Sequence, residues 1–290
     1  MGYQLAIGDR SYSSWSLRGW LMFAHGKIEV ETKMGRLYSP DFTRLMGEFA
    51  PARLAPALRL PEGQVIGETL AIAETLAERH PEAQIWPADA TARAVARFMA
   101  AEMHAGFGAL RNHCAMNLRI AYADCAPGPE VLADLARIEE LWSLARRNFA
   151  VAGPWLFGRW SAADAFYAPV AARIAGHNLP VGREAAAYVE TTLADPAFRQ
   201  WRAVGLTEGP DQQAYRRDWP TRPWPGPTPL ETEACDGPSV NASCPYSGKP
   251  VTHFLRMGPH VWGFCNATCR DKTRADPEAW PAFMDMVKKH

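Results

Sequence analysis

Between residues 3 and 80 the apolar positions change period repeatedly. A short apolar run, Tyr3 to Ile7, has the length of a strand, and Leu17 to His25 then carries apolar residues at helical spacing. Ile28 to Glu31 alternates as a strand does, and Asp41 to Glu48 reads as helix. Ala57 to Leu60 and Gln64 to Ile66 are short strands flanking the turn Pro61-Glu62-Gly63, and Glu68 to Arg79 is an amphipathic helix that stops before Pro81. This order predicts a small α/β domain on a mixed sheet over residues 1–82.

From Asp89 onward the helical period takes over. Helices are predicted over 91–118, 129–150, 161–175 and 182–193, with a shorter one over 196–203, which makes residues 88–212 an all-helical domain. Asp89 precedes the first as an N-cap, and Ser161-Ala162-Ala163-Asp164 has capping-box spacing. Past Tyr215 the pattern breaks up: between Trp219 and Pro229 proline occupies nearly every second position, a composition that blocks helix and favours an extended tether. Residues 213–240 are therefore expected to be a linker, leading into a cysteine-rich tail over 241–290.

Composition narrows the choice of partner. The 31 basic and 31 acidic side chains of this 290-residue chain cancel, so a broad electrostatic hold on nucleic acid or anionic lipid is not expected. No apolar run reaches membrane-spanning length, and the first residues lack the basic-then-apolar pattern of a leader, so a cytoplasmic protein with a small-molecule partner is expected. Gly106-Phe107-Gly108 lies inside a helical stretch and lacks a third glycine, so it carries no nucleotide signature. Of six cysteines, Cys114 and Cys125 stand apart in helical surroundings, whereas Cys235, Cys244, Cys265 and Cys269 crowd the end of the chain, a clustering that suits metal better than disulfides in a reducing compartment.

The stretch Tyr12-Ser13-Ser14-Trp15-Ser16-Leu17-Arg18 lies at a strand-to-helix turn. Unpaired N–H groups and the helix dipole favour an anion there, and a serine hydroxyl either caps the helix or donates to that anion. Downstream come Leu54-Ala55-Pro56-Ala57-Leu58, a proline entering a strand, and Ile66-Gly67-Glu68-Thr69-Leu70 at the next helix start. Together with Phe157-Gly158 and the capping box at Ser161, these stretches resemble the glutathione S-transferases over about residues 3 to 205, and the tandem serines are most similar to the serine-type, zeta-like branch, with Trp15 where that branch has cysteine.

The resemblance implies a thioredoxin-like N-terminal domain followed by an all-α domain, glutathione as co-substrate, a small electrophile as second substrate, and a homodimer. It implies that Ser14, with Ser13 as the alternative, donates a hydrogen bond to the glutathione thiolate, and that Trp15, Ala55, a cis Pro56, Glu68 and Thr69 bind the tripeptide. Met103, His104, Phe107, Leu110 and Arg111 recur at helical spacing and read first as a core face, with an electrophile pocket as the alternative; a lone helical histidine such as His104 reads as structural. In the tail, Cys244, Cys265 and Cys269 form a C-x20-C-x3-C pattern similar to the TRASH/YHS treble-clef modules, which implies a zinc site with Cys235, His253 or His260 as fourth ligand. Two other functions stay open: a non-catalytic glutathione-binding redox or metal sensor, and a glutathione-dependent maleyl-type cis-trans isomerase.

Overall fold

The structure, a computed structural model, describes residues 2–150 and 152–290. The chain forms two compact units, one of Met1–Leu193 with Gln212–Pro225 and the other of Ala194–Asp211 with Gly226–His290.

The first unit begins with β1 (Tyr3–Ile7), α1 (Ser14–Gly26), β2 (Val30–Met34), α2 (Pro40–Glu48), β3 (Ala57–Arg59), β4 (Val65–Ile66) and α3 (Thr69–Arg79). The strands lie in the order β2-β1-β3-β4; β1 and β2 are parallel with Leu5 opposite Thr32, while β3 runs antiparallel to both β1 and β4. This is the thioredoxin-like arrangement the sequence pattern implies. Leu5, Ala6 and Ile7 are fully buried, and Ala6 and Ala57 meet Leu45, Met46 and Phe49 at the end of α2. Because β1 is buried on both faces it reads as a continuous apolar run rather than an alternating one.

An all-helical half follows, with α4 (Ala90–Ala105), α5 (Gly108–His113), α6 (Pro129–Phe149), α7 (Ala162–Gly176) and α8 (Arg183–Ala194), and a short strand β5 (Ala121–Tyr122). Asp89 caps α4 by accepting from Ala92 N at 2.8 Å. The predicted helix over 91–118 is in fact two helices and a coil. Gly106 leaves the helical region, Phe107 takes a left-handed φ of 56°, and the chain turns there before α5, so residues 114–118 run as coil. Every residue of α7 is buried, and it packs against both α1 and α4. Its capping box forms: Asp164 Oδ2 accepts from Ser161 N at 2.8 Å, and Asp164 Oδ1 accepts from Leu156 N at 3.1 Å and from the Tyr188 hydroxyl at 3.0 Å.

Residues 212–225 pack instead of tethering. The strand β6 (Thr221–Arg222) pairs antiparallel with β5, Tyr12 Oη accepts from Gln212 N at 3.1 Å, and Tyr122 Oη accepts from Arg217 N at 2.9 Å. Trp219 sits edge-on to Tyr122, ring centroids 5.3 Å apart. Its large apolar surface anchors a segment whose proline content had suggested a free linker.

The second unit contains α9 (Pro196–Thr207), a three-stranded antiparallel sheet β7 (Glu233–Cys235), β8 (His253–Met257) and β9 (His260–Phe264), then α10 (Ala267–Ala275) and α11 (Pro281–Val287). Its core is Leu255, Trp262, Phe264 and Phe283 with the buried Cys244. Sequence reading assigned α9 to the helical domain, but it packs on α10, and Arg199 grips the buried Asp276 through two hydrogen bonds of 2.8 and 2.6 Å. A bidentate pair between residues so far apart leaves no local trace in the sequence. Among the described residues no helix is long and apolar enough to cross a membrane.

Candidate functional site

Ser13 and Ser14 divide two jobs at the start of α1. Ser13 is the N-cap, in extended conformation; its hydroxyl accepts from Ser16 N at 3.4 Å and lies 2.7 Å from Ser16 Oγ, which accepts from Gly8 N at 3.0 Å. This buried pair of hydroxyls ties the end of β1 to the helix. Ser14, the first helical residue, is half-buried, and its Oγ accepts from Arg173 Nη2 at 3.3 Å. A guanidinium only donates, so the Ser14 hydroxyl keeps its own proton for a partner in the cleft.

Both serines line a cleft of about 1290 Å³ whose walls include Trp15, Arg111, Arg173 and Tyr215. A smaller cavity of about 170 Å³ shares Trp15, Leu54 and Ala55 with it and is closed by Pro56, Glu68 and Thr69. All seven residues nominated from the sequence for glutathione chemistry thus face one of two cavities that share a wall. The Ala55–Pro56 peptide is cis, and Gly19 of α1 lets the helix press against that ring: a Cβ at Gly19 would lie 3.1 Å from Pro56 Cγ. Glu68 precedes α3 with a φ of 63°, a left-handed value that is strained for a residue with a side chain and that clusters at functional sites.

His104, set aside in the sequence as structural, joins these parts. Its Nε2 is 3.2 Å from Glu68 Oε2, its Nδ1 is 3.5 Å from Thr69 Oγ1, and its ring stacks on Trp15 with centroids 5.7 Å apart. Burial lowers its pKa, Glu68 opposes that, and the cations Arg18 and Arg111 reinforce it. Of the helical stripe that contains it, Met103, Phe107 and Leu110 are buried core, whereas Arg111 reaches the cleft.

Three arginines surround Trp15 and Ser14. The Arg18 guanidinium carbon lies 3.7 Å from the Trp15 ring centroid and that of Arg111 lies 4.6 Å from it. Arg111 donates to the Gly106 carbonyl, and Arg173 donates to the carbonyls of Cys114 and Pro169 as well as to Ser14; among the described residues neither is paired with a carboxylate. Arg18 is fully buried, and none of its three side-chain nitrogens has a hydrogen-bond partner among the described residues. Burial, then the neighbouring cations, lowers Arg173 to about 10 and Arg18 well below its usual range. The described residues lining the larger cleft include Arg111 and Arg173 and no acid, so it offers a ligand positive potential.

Comparison with known proteins agrees with this geometry. Residues 12–79 match the family described as glutathione S-transferase, N-terminal domain. A probable maleylacetoacetate isomerase of Caenorhabditis elegans is 35% identical over 103 residues, 36% of this chain and 47% of the relative. The maleylacetoacetate isomerase of Dictyostelium discoideum is 36% identical over 93 residues, 31% of this chain and 41% of the relative. The chain therefore spans less than half the length of the curated relatives it matches. Among solved structures, a glutathione transferase homolog from Burkholderia gl BGR1 with bound glutathione superposes with a TM-score of 0.54 at 24% identity, covering 72% of this chain and all of that one. Glutathione transferase Omega 1C from Trametes versicolor gives 0.52 at 19% identity, covering 69% of this chain and 90% of that one. At these identities the structural likeness shows the fold alone: a thioredoxin-like domain followed by a helical one.

In the second unit the sulfurs of Cys244, Cys265 and Cys269 lie within 4.8 Å of one another. Ser247 Oγ donates to Cys265 Sγ at 3.2 Å and Asn266 Nδ2 does so at 3.4 Å. Burial pushes the Cys244 thiol up, but N–H groups of Cys265, Tyr246 and Ser247 outweigh it and bring the thiol down to about 7. Burial, and then Cys244, pushes Cys269 up to about 12. Three convergent sulfurs with hydrogen-bond donors aimed at them fit a thiophilic ion. None of Cys235, His253 and His260 joins that group among the described residues, so the sequence candidates for a fourth ligand are not brought in.

Proposed function

We propose that this chain is a glutathione transferase in which Ser14 stabilises the glutathione thiolate for attack on a small electrophile. The observation that carries the reading is the Ser14 hydroxyl, held by Arg173 Nη2 at the start of α1 with its own proton left to donate. A thiol of pKa about 8.5 ionises more readily beside such a donor, at a helix N-terminus and near cations. Ala55, Glu68 and Thr69 supply the backbone, carboxylate and hydroxyl groups that a γ-glutamyl tripeptide needs in the adjoining cavity, with Trp15 and Pro56 shaping its walls. Retention on immobilised glutathione, together with turnover of an aryl halide, tests this. Retention without turnover, unchanged by Ser14→Ala, would favour the non-catalytic sensor instead.

A second reading is favoured by Arg111 and Arg173, which among the described residues have no carboxylate partner and suit a carboxylate-bearing substrate. Glutathione-dependent isomerisation of a maleyl-type diacid fits that chemistry, and the partial likeness to proteins named maleylacetoacetate isomerase supports it. Assaying an aryl halide and a maleyl diacid side by side separates the two activities. A homodimer and a cytoplasmic location belong to the same reading, and light scattering in solution tests the first.

For the tail we propose a TRASH/YHS-like zinc module that uses Cys244, Cys265 and Cys269. Their mutual proximity supports it, and the ion would add folding free energy to a small core. Stoichiometric zinc unchanged in Cys265→Ser would remove that residue from the ligand set.

A further inference from the structure

The fold brings Cys125 against the adjacent pair His113 and Cys114, and the glutathione chemistry uses none of the three. Cys114 closes the C-terminus of α5 and is fully buried, Cys125 is 3% exposed in the coil between β5 and α6, and His113 is the last residue of α5. A ring nitrogen of His113 and the two sulfurs lie within 4.8 Å of one another. His113 Nε2 also lies 3.1 Å from the Cys125 carbonyl oxygen. A carbonyl only accepts, so Nε2 carries the proton and the neutral ring keeps its lone pair on Nδ1. An imidazole that donates one N–H to a backbone carbonyl is held as metal-binding histidines are held.

Neither sulfur is placed to act as a free nucleophile. Both are enclosed, Cys114 fully and Cys125 to 3% exposure, so a bulky electrophile does not reach them. Arg173 and Arg217 put positive charge near Cys114.

We propose that His113, Cys114 and Cys125 form a buried site for a soft monovalent cation, copper(I), in trigonal coordination by two sulfurs and one nitrogen. Thiolate and imidazole donors select soft ions. Zinc takes four ligands; at the tail, Cys265 and Cys269 are half-exposed and solvent can supply the fourth, whereas Cys114 and Cys125 are buried and, among the described residues, no fourth histidine, cysteine or carboxylate joins this group. Binding exchanges two thiol protons for one ion and leaves a single negative charge, which Arg173 and Arg217 offset. No electron is transferred. The ion would also fix one wall of the cleft, because Ala115 and Met116 line it and the Cys114 carbonyl accepts from Arg173 Nε at 2.9 Å.

The test is an anaerobic copper(I) titration, against a chromophoric copper(I) chelator, of the full chain carrying Cys235→Ser, Cys244→Ser, Cys265→Ser and Cys269→Ser. One equivalent is expected to resist the chelator and to raise the unfolding temperature, and X-ray absorption should find two sulfurs and one nitrogen around it. Adding Cys125→Ser, or separately His113→Gln at a half-buried position, should weaken binding at least about tenfold, the scale on which even outer partners of a metal site act. Should the tail substitutions impair folding, Cys125→Ser in the otherwise unchanged chain should remove one bound equivalent. The proposal is overturned by no chelator-resistant copper, by binding indifferent to both substitutions, by a copper environment without sulfur, or by closure of Cys114 and Cys125 into a disulfide in place of metal uptake.

Discussion

Replacing Ser14 with alanine removes one hydroxyl from the cleft and leaves the helix cap alone, since the cap belongs to Ser13. Arg173 loses one acceptor but keeps the carbonyls of Cys114 and Pro169, at 2.9 and 3.2 Å, so the buried guanidinium stays anchored and the fold should hold. A hydrogen bond to a charged group is worth about 1.5–3 kcal/mol. With about 1.4 kcal/mol per pKa unit, the thiol of bound glutathione should become less acidic by about 1–2 units. Below that pKa the rate follows the thiolate fraction, so kcat/KM should fall by about 10–100-fold and recover toward the unsubstituted value as the pH rises. Ser13→Ala is the matched control: it loses a cap worth about 1 kcal/mol and should lower the unfolding midpoint without displacing the pH profile. The measurement is kcat/KM against pH for both variants with an aryl halide. A displaced profile in Ser13→Ala and an unmoved one in Ser14→Ala would reverse the assignment, and unmoved profiles in both would remove the serine turn from thiol ionisation.

Three further outcomes follow from groups already described. Burial raises the Asp164 carboxyl to about 6 despite its hydrogen bonds, above an unfolded value of about 3.9, so its stabilising contribution is complete below about pH 4 and is lost as the pH rises through about 6. The stability difference between the unsubstituted chain and Asp164→Ala, from urea unfolding, should therefore shrink by about 2 kcal/mol between pH 4 and pH 7; a difference independent of pH would refute the shift. Arg18→Met keeps an apolar stem against Trp15 and removes a buried cation with no acceptor, so it should raise stability by on the order of 1 kcal/mol while moving the thiol profile to higher pH; destabilisation would mean that stacking on Trp15 outweighs desolvation. Chelating the proposed tail ion should unfold the second unit, seen as loss of hydrogen-exchange protection in β8 and β9, and unchanged protection would show that Leu255, Trp262 and Phe264 suffice without it.

Much of the first unit was legible because its signals are local. The five-residue β1, the caps Asp89 and Ser161, and the helix from Pro129 to Phe149 each depend on neighbours within a turn or a strand. The break at Gly106 and Phe107 was missed because the good helix formers on either side outweighed Gly106 and Gly108 in the periodic reading; Phe107 between them takes a left-handed φ. The linker expectation failed where proline count outweighed Trp219 and Tyr215, whose rings bring residues 212–225 back onto their own unit.

The candidate site shows the same division more sharply. Ser13, Ser14, Pro56 and Thr69 could be nominated because each marks a turn or a helix start, and those features carry spacing. Arg173 could not, since 159 residues separate it from Ser14 and nothing in the fully buried α7 distinguishes an arginine aimed into a cleft from one at the surface. Arg18 is the harder case. Four residues after Ser14 in a helix of mixed polarity, it reads as a solvated charge, yet it is wholly buried against Trp15 and Phe166. An uncompensated cation there lowers stability, so the chain retains it at a cost that its own fold does not repay. That cost makes physical sense if the counter-charge arrives with a ligand: Arg111 and Arg173 line the cleft where a thiolate or a carboxylate would sit, and Arg18, buried against Trp15, would add to the potential there.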